Sequence, residues 1–109
     1  MAYDSSLAGR VRAALAGRPG VVEKSMFGGL GFLLDGNLCV GVRKETLLVR
    51  TDPARSEVLL RKPHVEPFGI NGRTMKGWLL VALPGVQEDA RLNEWIQEAW
   101  YYVKTLPPK

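Results

Sequence analysis

The run Met26-Phe27-Gly28-Gly29-Leu30-Gly31-Phe32-Leu33-Leu34-Asp35-Gly36-Asn37 constrains this chain more than any other segment. It sets four glycines among large apolar residues and ends on a turn signal. Glycine weakens a strand, so a cluster marks places where a side chain would clash, the backbone must bend, or a neighbour comes close. Leu30, Phe32 and Leu34 alternate as one buried face, and Leu38, Val40 and Val42 repeat the pattern after the turn. A two-residue loop at Asp35-Gly36 would put the two series on opposite faces. A three-residue loop, Asp35-Gly36-Asn37, pairs Leu34 with Leu38, Phe32 with Val40 and Leu30 with Val42, and is the expected register. A tight turn at Lys44-Glu45 adds Leu47 and Val49 to the same face. The opposite face then carries Gly29, Gly31, Leu33, Cys39, Gly41, Arg43, Leu48 and Arg50. It is flat, partly apolar and edged by two arginines, and it suits a helix of the same chain, a second subunit or a partner.

Around this hairpin the chain reads as one domain over residues 1–109. Asp4 to Gly17 forms a first helix, capped by Asp4 or Ser5, with Leu7, Val11, Ala14 and Leu15 on one face and Arg18-Pro19-Gly20 as its stop. Strand-like segments lie near 22–34, 38–43 and 46–51. Asp52-Pro53 starts a short helix that ends at Lys62-Pro63. Two further strands, near 65–70 and 75–83, flank Asn71-Gly72, a strong hairpin signal. A last helix follows Pro84-Gly85 and runs to about Leu106, with Leu92, Ile96, Ala99, Trp100 and Val103 on its apolar face. The order α-β-β-β-α-β-β-α, with strands on short turns, is that of an α+β two-layer domain with a mostly antiparallel, twisted sheet.

Charge and composition narrow the function classes. The net charge is +4, and the excess lies in residues 1–62, with ten Lys/Arg against six Asp/Glu, whereas residues 63–109 balance at five each. No Lys/Arg run exceeds two residues, so the pattern allows weak attraction to nucleic acid without specifying it. No apolar run approaches the roughly 20 residues of a membrane span, and no leader-like segment opens the chain. With one cysteine and no internal disulfide, the expected location is the cytoplasm.

Chemistry is hard to find. His64 is the only histidine and, with Cys39 far away in sequence, makes no metal-ligand spacing, so no metal and no cofactor are expected. Cys39, between Leu38 and Val40, reads as a half-buried, inert thiol. Gly29-Leu30-Gly31 is followed by a strand instead of a helix, which excludes a dinucleotide loop. Glu88, Asp89, Glu94 and Glu98 belong to a solvated flank of the last helix. No catalytic residue is identified, and a non-enzymatic role is expected. Trp95 and Tyr102 lie off the main apolar stripe of that helix and are candidate interface anchors. Arg10, Arg12, Arg18 and Lys24 could gather with Arg43 and Arg50 into one basic end, without the interleaved aromatics that base stacking needs.

The chain also resembles a known family. Lys24-Ser25-Met26-Phe27-Gly28-Gly29-Leu30-Gly31-Phe32, Leu47-Leu48-Val49-Arg50, Pro67-Phe68, Met75-Lys76-Gly77-Trp78 and the closing Leu106-Pro107-Pro108-Lys109 are similar to the N-terminal domain of the TfoX/Sxy competence regulators of bacteria. The similarity runs from about Arg10 to the end of the chain. It implies an α+β fold like that of type III secretion chaperones, with homodimerisation plausible by analogy. It implies too that Met26, Phe27, Gly28, Gly29, Gly31, Phe32, Met75, Gly77 and Trp78 are structural positions and not a site. Full-length members assist the cAMP receptor protein at atypical promoter sites and carry a second, helical domain; the expectation here is a stand-alone relative. The expected function is a cytoplasmic regulatory adaptor that contacts a cAMP-receptor-type activator or RNA polymerase through Arg43, Arg50, Trp95 and Tyr102. The alternative is weak, direct DNA binding by the basic N-terminal part.

Overall fold

The computed structural model describes residues 3–26, 28–70 and 72–109. Helix α1 (Ser5–Leu15) begins where the Asp4 carboxylate accepts from the Leu7 N–H at 3.0 Å. Strands β1 (Val21–Met26), β2 (Gly29–Leu34), β3 (Asn37–Arg43) and β4 (Thr46–Arg50) follow as antiparallel neighbours. The Asp52 side chain accepts from the Ala54 N–H and starts a 3-10 turn at Pro53–Arg55, which leads into α2 (Ser56–Leu60). Strands β5 (Val65–Ile70) and β6 (Arg73–Ala82) pair antiparallel before α3 (Asp89–Val103) closes the fold. The six strands form one sheet in the order β1-β2-β3-β4-β6-β5.

Three expectations are corrected. The segment 22–34 is two strands, because the chain turns at Gly28, whose φ of +75° ends β1 and lets β2 fold back on it. Phe27 and Asn71 lie outside the described residues. The last helix ends at Val103, three residues short of Leu106.

The third correction concerns the hairpin. Phe32 does pair with Val40 and Leu30 with Val42, yet Leu34 faces Asn37 and Leu33 faces Leu38. The loop has two residues, not three: Asp35 and Gly36 both have positive φ (50° and 86°), the geometry that matches strand twist in a tight hairpin. The one-residue mismatch this creates is absorbed by a bulge, and Cys39 is the extra residue. It therefore leaves the arginine face and joins the core at 2% exposure.

One apolar cluster holds the domain together. Leu7, Val11 and Leu15 of α1, Leu59 of α2, and Leu92, Ile96, Ala99 and Val103 of α3 pack on Phe32, Val40, Val42, Leu47, Val49, Leu79 and Val81. All three helices thus serve one side of the sheet. The C-terminal tail is tied to the β2–β3 turn, where the Lys109 N–H donates to Asp35 O at 2.8 Å and the Asn37 amide donates to Pro107 O at 2.9 Å.

Candidate functional site

Strand alternation assigns the opposite side. Leu33, Gly41, Arg43, Leu48, Arg50, Trp78 and Leu80 face away from the helices, because their sequence neighbours belong to the helix-covered cluster. Leu48 and Phe68 are buried at 1% and 8% exposure and yet stand outside that cluster. Leu33, Leu38, Trp78 and Leu80 are half-buried. Register adds Val22, Lys24 and Met26 of β1 and Glu66 of β5 to the same side. Among the described residues no helix lies over it.

Both arginines are laid on aromatic rings. The Arg50 guanidinium sits 4.9 Å from the centre of Trp78, its direct cross-strand neighbour. The Arg43 guanidinium sits 6.0 Å from the centre of Phe68. Arg43 is on β3 and Phe68 on β5, so the two side chains meet over the intervening β4 and β6. An arm lying over those strands helps to explain how Leu48 stays dry without a helix above it. Pro67 is opposite Leu79, which brings Phe68 level with Trp78, so the two rings mark one end of the face. A stacked guanidinium is orientated by the ring and keeps its edge donors for an anion.

That end is shaped by the Met75-Lys76-Gly77-Trp78 motif. Between Leu79, opposite Pro67, and Thr74, opposite Gly69, β6 carries four residues against the single Phe68. The excess arches out at Gly77, where φ is +85° and an added Cβ would meet Thr51 O at 2.7 Å. The arch is pinned by its backbone: Gly77 O accepts from the Thr51 N–H at 2.7 Å and the Gly77 N–H donates to Ser56 Oγ at 3.1 Å. Thr51 Oγ1 and the Arg55 Nε both donate to Glu98 Oε2, at 3.1 and 2.7 Å, linking the arch to α3. Glu98 in turn raises the pKa of Arg55, chiefly through that hydrogen bond. The role of Thr51, Ser56 and Glu98 was not visible in the sequence, since nothing local connects them.

The remaining candidates fall on the helical side. Trp95 is 7% exposed and packs into the core beneath Lys62, whose ammonium is 5.9 Å from its ring centre. Tyr102 is half-buried against the same core. Neither adjoins Arg43 and Arg50, so the structure does not bring the four together on one surface. The N-terminal arginines do not join them either. Arg10 donates to Asp89 and to the Val86 and Gln87 carbonyls, Arg12 makes a two-point contact with Glu23, and Arg18 covers the Trp100 ring at 4.7 Å. The Arg12 guanidinium lowers the pKa of Glu23 through that contact.

A concavity of about 780 Å³ lies between α2 and α3, away from the arginine face. Leu59 and Trp95 floor it, and its rim mixes Arg55, Lys62, Glu94 and Glu98. Mixed charges, with Arg55 and Glu98 already paired, give it no clear preference for one ligand, so size alone does not make it the site. Burial pushes the Cys39 thiol up to about 12, which leaves it un-ionised and unreactive at neutral pH. Among the described residues no three His, Cys, Asp or Glu side chains come together as metal ligands. No described helix is long and apolar enough to cross a membrane.

Comparison with curated proteins finds no match. The model of the TfoX N-terminal domain family matches residues 13–102, a span that holds the glycine hairpin, both stacked arginines and the Gly77 arch, and the chain belongs to that family.

Proposed function

We propose that this domain is a regulatory adaptor that contacts a partner protein through the helix-free face of its sheet. The observation that carries the reading is the pair of guanidiniums, Arg43 on Phe68 and Arg50 on Trp78, held on an apolar surface with no carboxylate partner among the described residues. Family membership supports a regulatory role, and the resemblance to competence regulators points to a cAMP-receptor-type activator or RNA polymerase as the partner. The basic N-terminal part offers less, because Arg10 and Arg12 are spent on internal carboxylates.

The test is fluorescence anisotropy on labelled promoter DNA at two salt concentrations, with and without the host's cAMP receptor protein. The expected result is a signal from this domain only when that protein is present, abolished by the Arg43→Glu/Arg50→Glu double variant. Salt-sensitive binding to DNA by the domain alone, unaffected by those changes, overturns the reading in favour of direct DNA contact.

A further inference from the structure

We infer that the open face receives an acidic amphipathic helix of a partner protein, its apolar stripe on the half-buried Leu33, Leu38 and Leu80 and its carboxylates on Arg43 and Arg50. This rests on the open face being the contact surface, as proposed above, and adds what the surface recognises.

The charge comes from a contrast among the arginines. Arg10, Arg12, Arg55 and Arg91 each donate to an Asp or Glu of this chain. Arg43 and Arg50 donate to none among the described residues, and both are fixed by rings beneath them. Two orientated forks on the same face match carboxylates of a partner. Glu66 is the one carboxylate that strand register puts on this side, and it makes no ion pair with either.

The helix follows from the floor. Leu33, Leu38, Leu48 and Leu80 are aliphatic, and an aliphatic sheet face is what helices cover in layered domains, as α3 covers the other side of β3 and β4. The two rings that could stack nucleic-acid bases are already capped by guanidiniums, which disfavours a single strand. A second copy of this chain fits poorly, since it would press Lys24, Arg43 and Arg50 of each copy together with a net +4 on both.

The test uses the full chain, isotope-labelled, with methyl and arginine Nε–H signals followed by NMR. Two synthetic peptides of roughly 16 residues, long enough to be helical, carry one leucine stripe flanked by either glutamates or glutamines. The expected result is that the glutamate peptide shifts the Leu33, Leu38 and Leu80 methyls and both arginine signals, and binds about tenfold more tightly than the glutamine peptide. The Arg43→Gln/Arg50→Gln protein is expected to bind the two peptides alike. Equal binding of both peptides by the unaltered protein overturns the inference. So does a twelve-residue oligothymidine that moves the same signals when the glutamate peptide does not, or a shift of those signals with protein concentration alone. If the cAMP receptor protein engages this face while the glutamate peptide does not, the acidic helix is wrong and the contact surface stands. If neither engages it, both fall.

Discussion

Leu47 and Leu48 are adjacent, chemically identical and almost equally buried, at 0% and 1% exposure, yet they live on opposite sides of the sheet. Leu47 is sealed by the cluster that includes α1 and α3, whereas Leu48 is sealed by neighbouring side chains of the sheet itself. Burial alone therefore does not tell a core from a contact surface. What distinguishes them is the covering layer. A helix is a rigid lid fixed by its own hydrogen bonds, while arginine and leucine arms can rearrange or be replaced by a partner.

The sharpest way to break this comparison is to truncate both residues. Leu47→Ala should cost about 4 kcal/mol in denaturant unfolding, because helices cannot follow the lost volume. Leu48→Ala should cost about 2 kcal/mol, as the flexible arms settle into the gap. Equal losses would mean that the open face is as rigidly built as the core. Next in size is Gly77→Ala, at the arch that sets the aromatic end of the open face. With φ at +85° and Thr51 O in the way, it should cost roughly 2 kcal/mol and shift the Trp78 fluorescence.

Cys39 tests the bulge that carries it into the core. Its folded pKa of about 12 lies above the reference value of 9.0, so the unfolded chain ionises first as pH rises. The stabilisation is full below pH 9 and is lost through the window from 9 to about 12, by up to about 1.4 kcal/mol per pH unit. Comparing unfolding of the unaltered protein and Cys39→Ala at pH 8 and pH 10 isolates that slope from lysine and tyrosine titration, and a slope common to both proteins would exclude it. The smallest effect is expected from Arg43→Gln/Arg50→Gln, below about 1 kcal/mol in thermal unfolding, since a half-exposed cation over a ring contributes little. A larger loss would make these arginines part of the fold and weaken their assignment to a partner.

Much of the fold was legible because its signals are local. Asp4 caps α1 through a hydrogen bond three residues long, Asp52-Pro53 opens the turn before α2, and the register of Phe32 with Val40 follows from alternation. The Asp35-Gly36 loop was misjudged because two local demands conflict by one residue. The dipeptide favours a two-residue turn, and the apolar faces require an odd offset; a bulge satisfies both, and nothing in the local pattern marks Cys39 as its place. The burial of Trp95, at 7% exposure under Lys62, was not legible because helical periodicity fixes a residue's direction but not what a neighbouring segment lays over it.

The arginine–aromatic pairs were illegible for a different reason. Arg43 and Phe68 are separated by 25 residues, and they meet across the surface of a sheet whose strand order departs from the chain order. The sequence by itself determined the α+β class, the caps and most of the apolar faces, since each rests on periodicity or spacing along a few residues, and its motifs carried the family resemblance. Tertiary structure decided which face stays without a helix, where Cys39 goes, and that Arg43 and Arg50 stand on rings without carboxylates while Arg10 and Arg12 are neutralised. Those are relations between distant segments, and only strand order and packing bring them into contact.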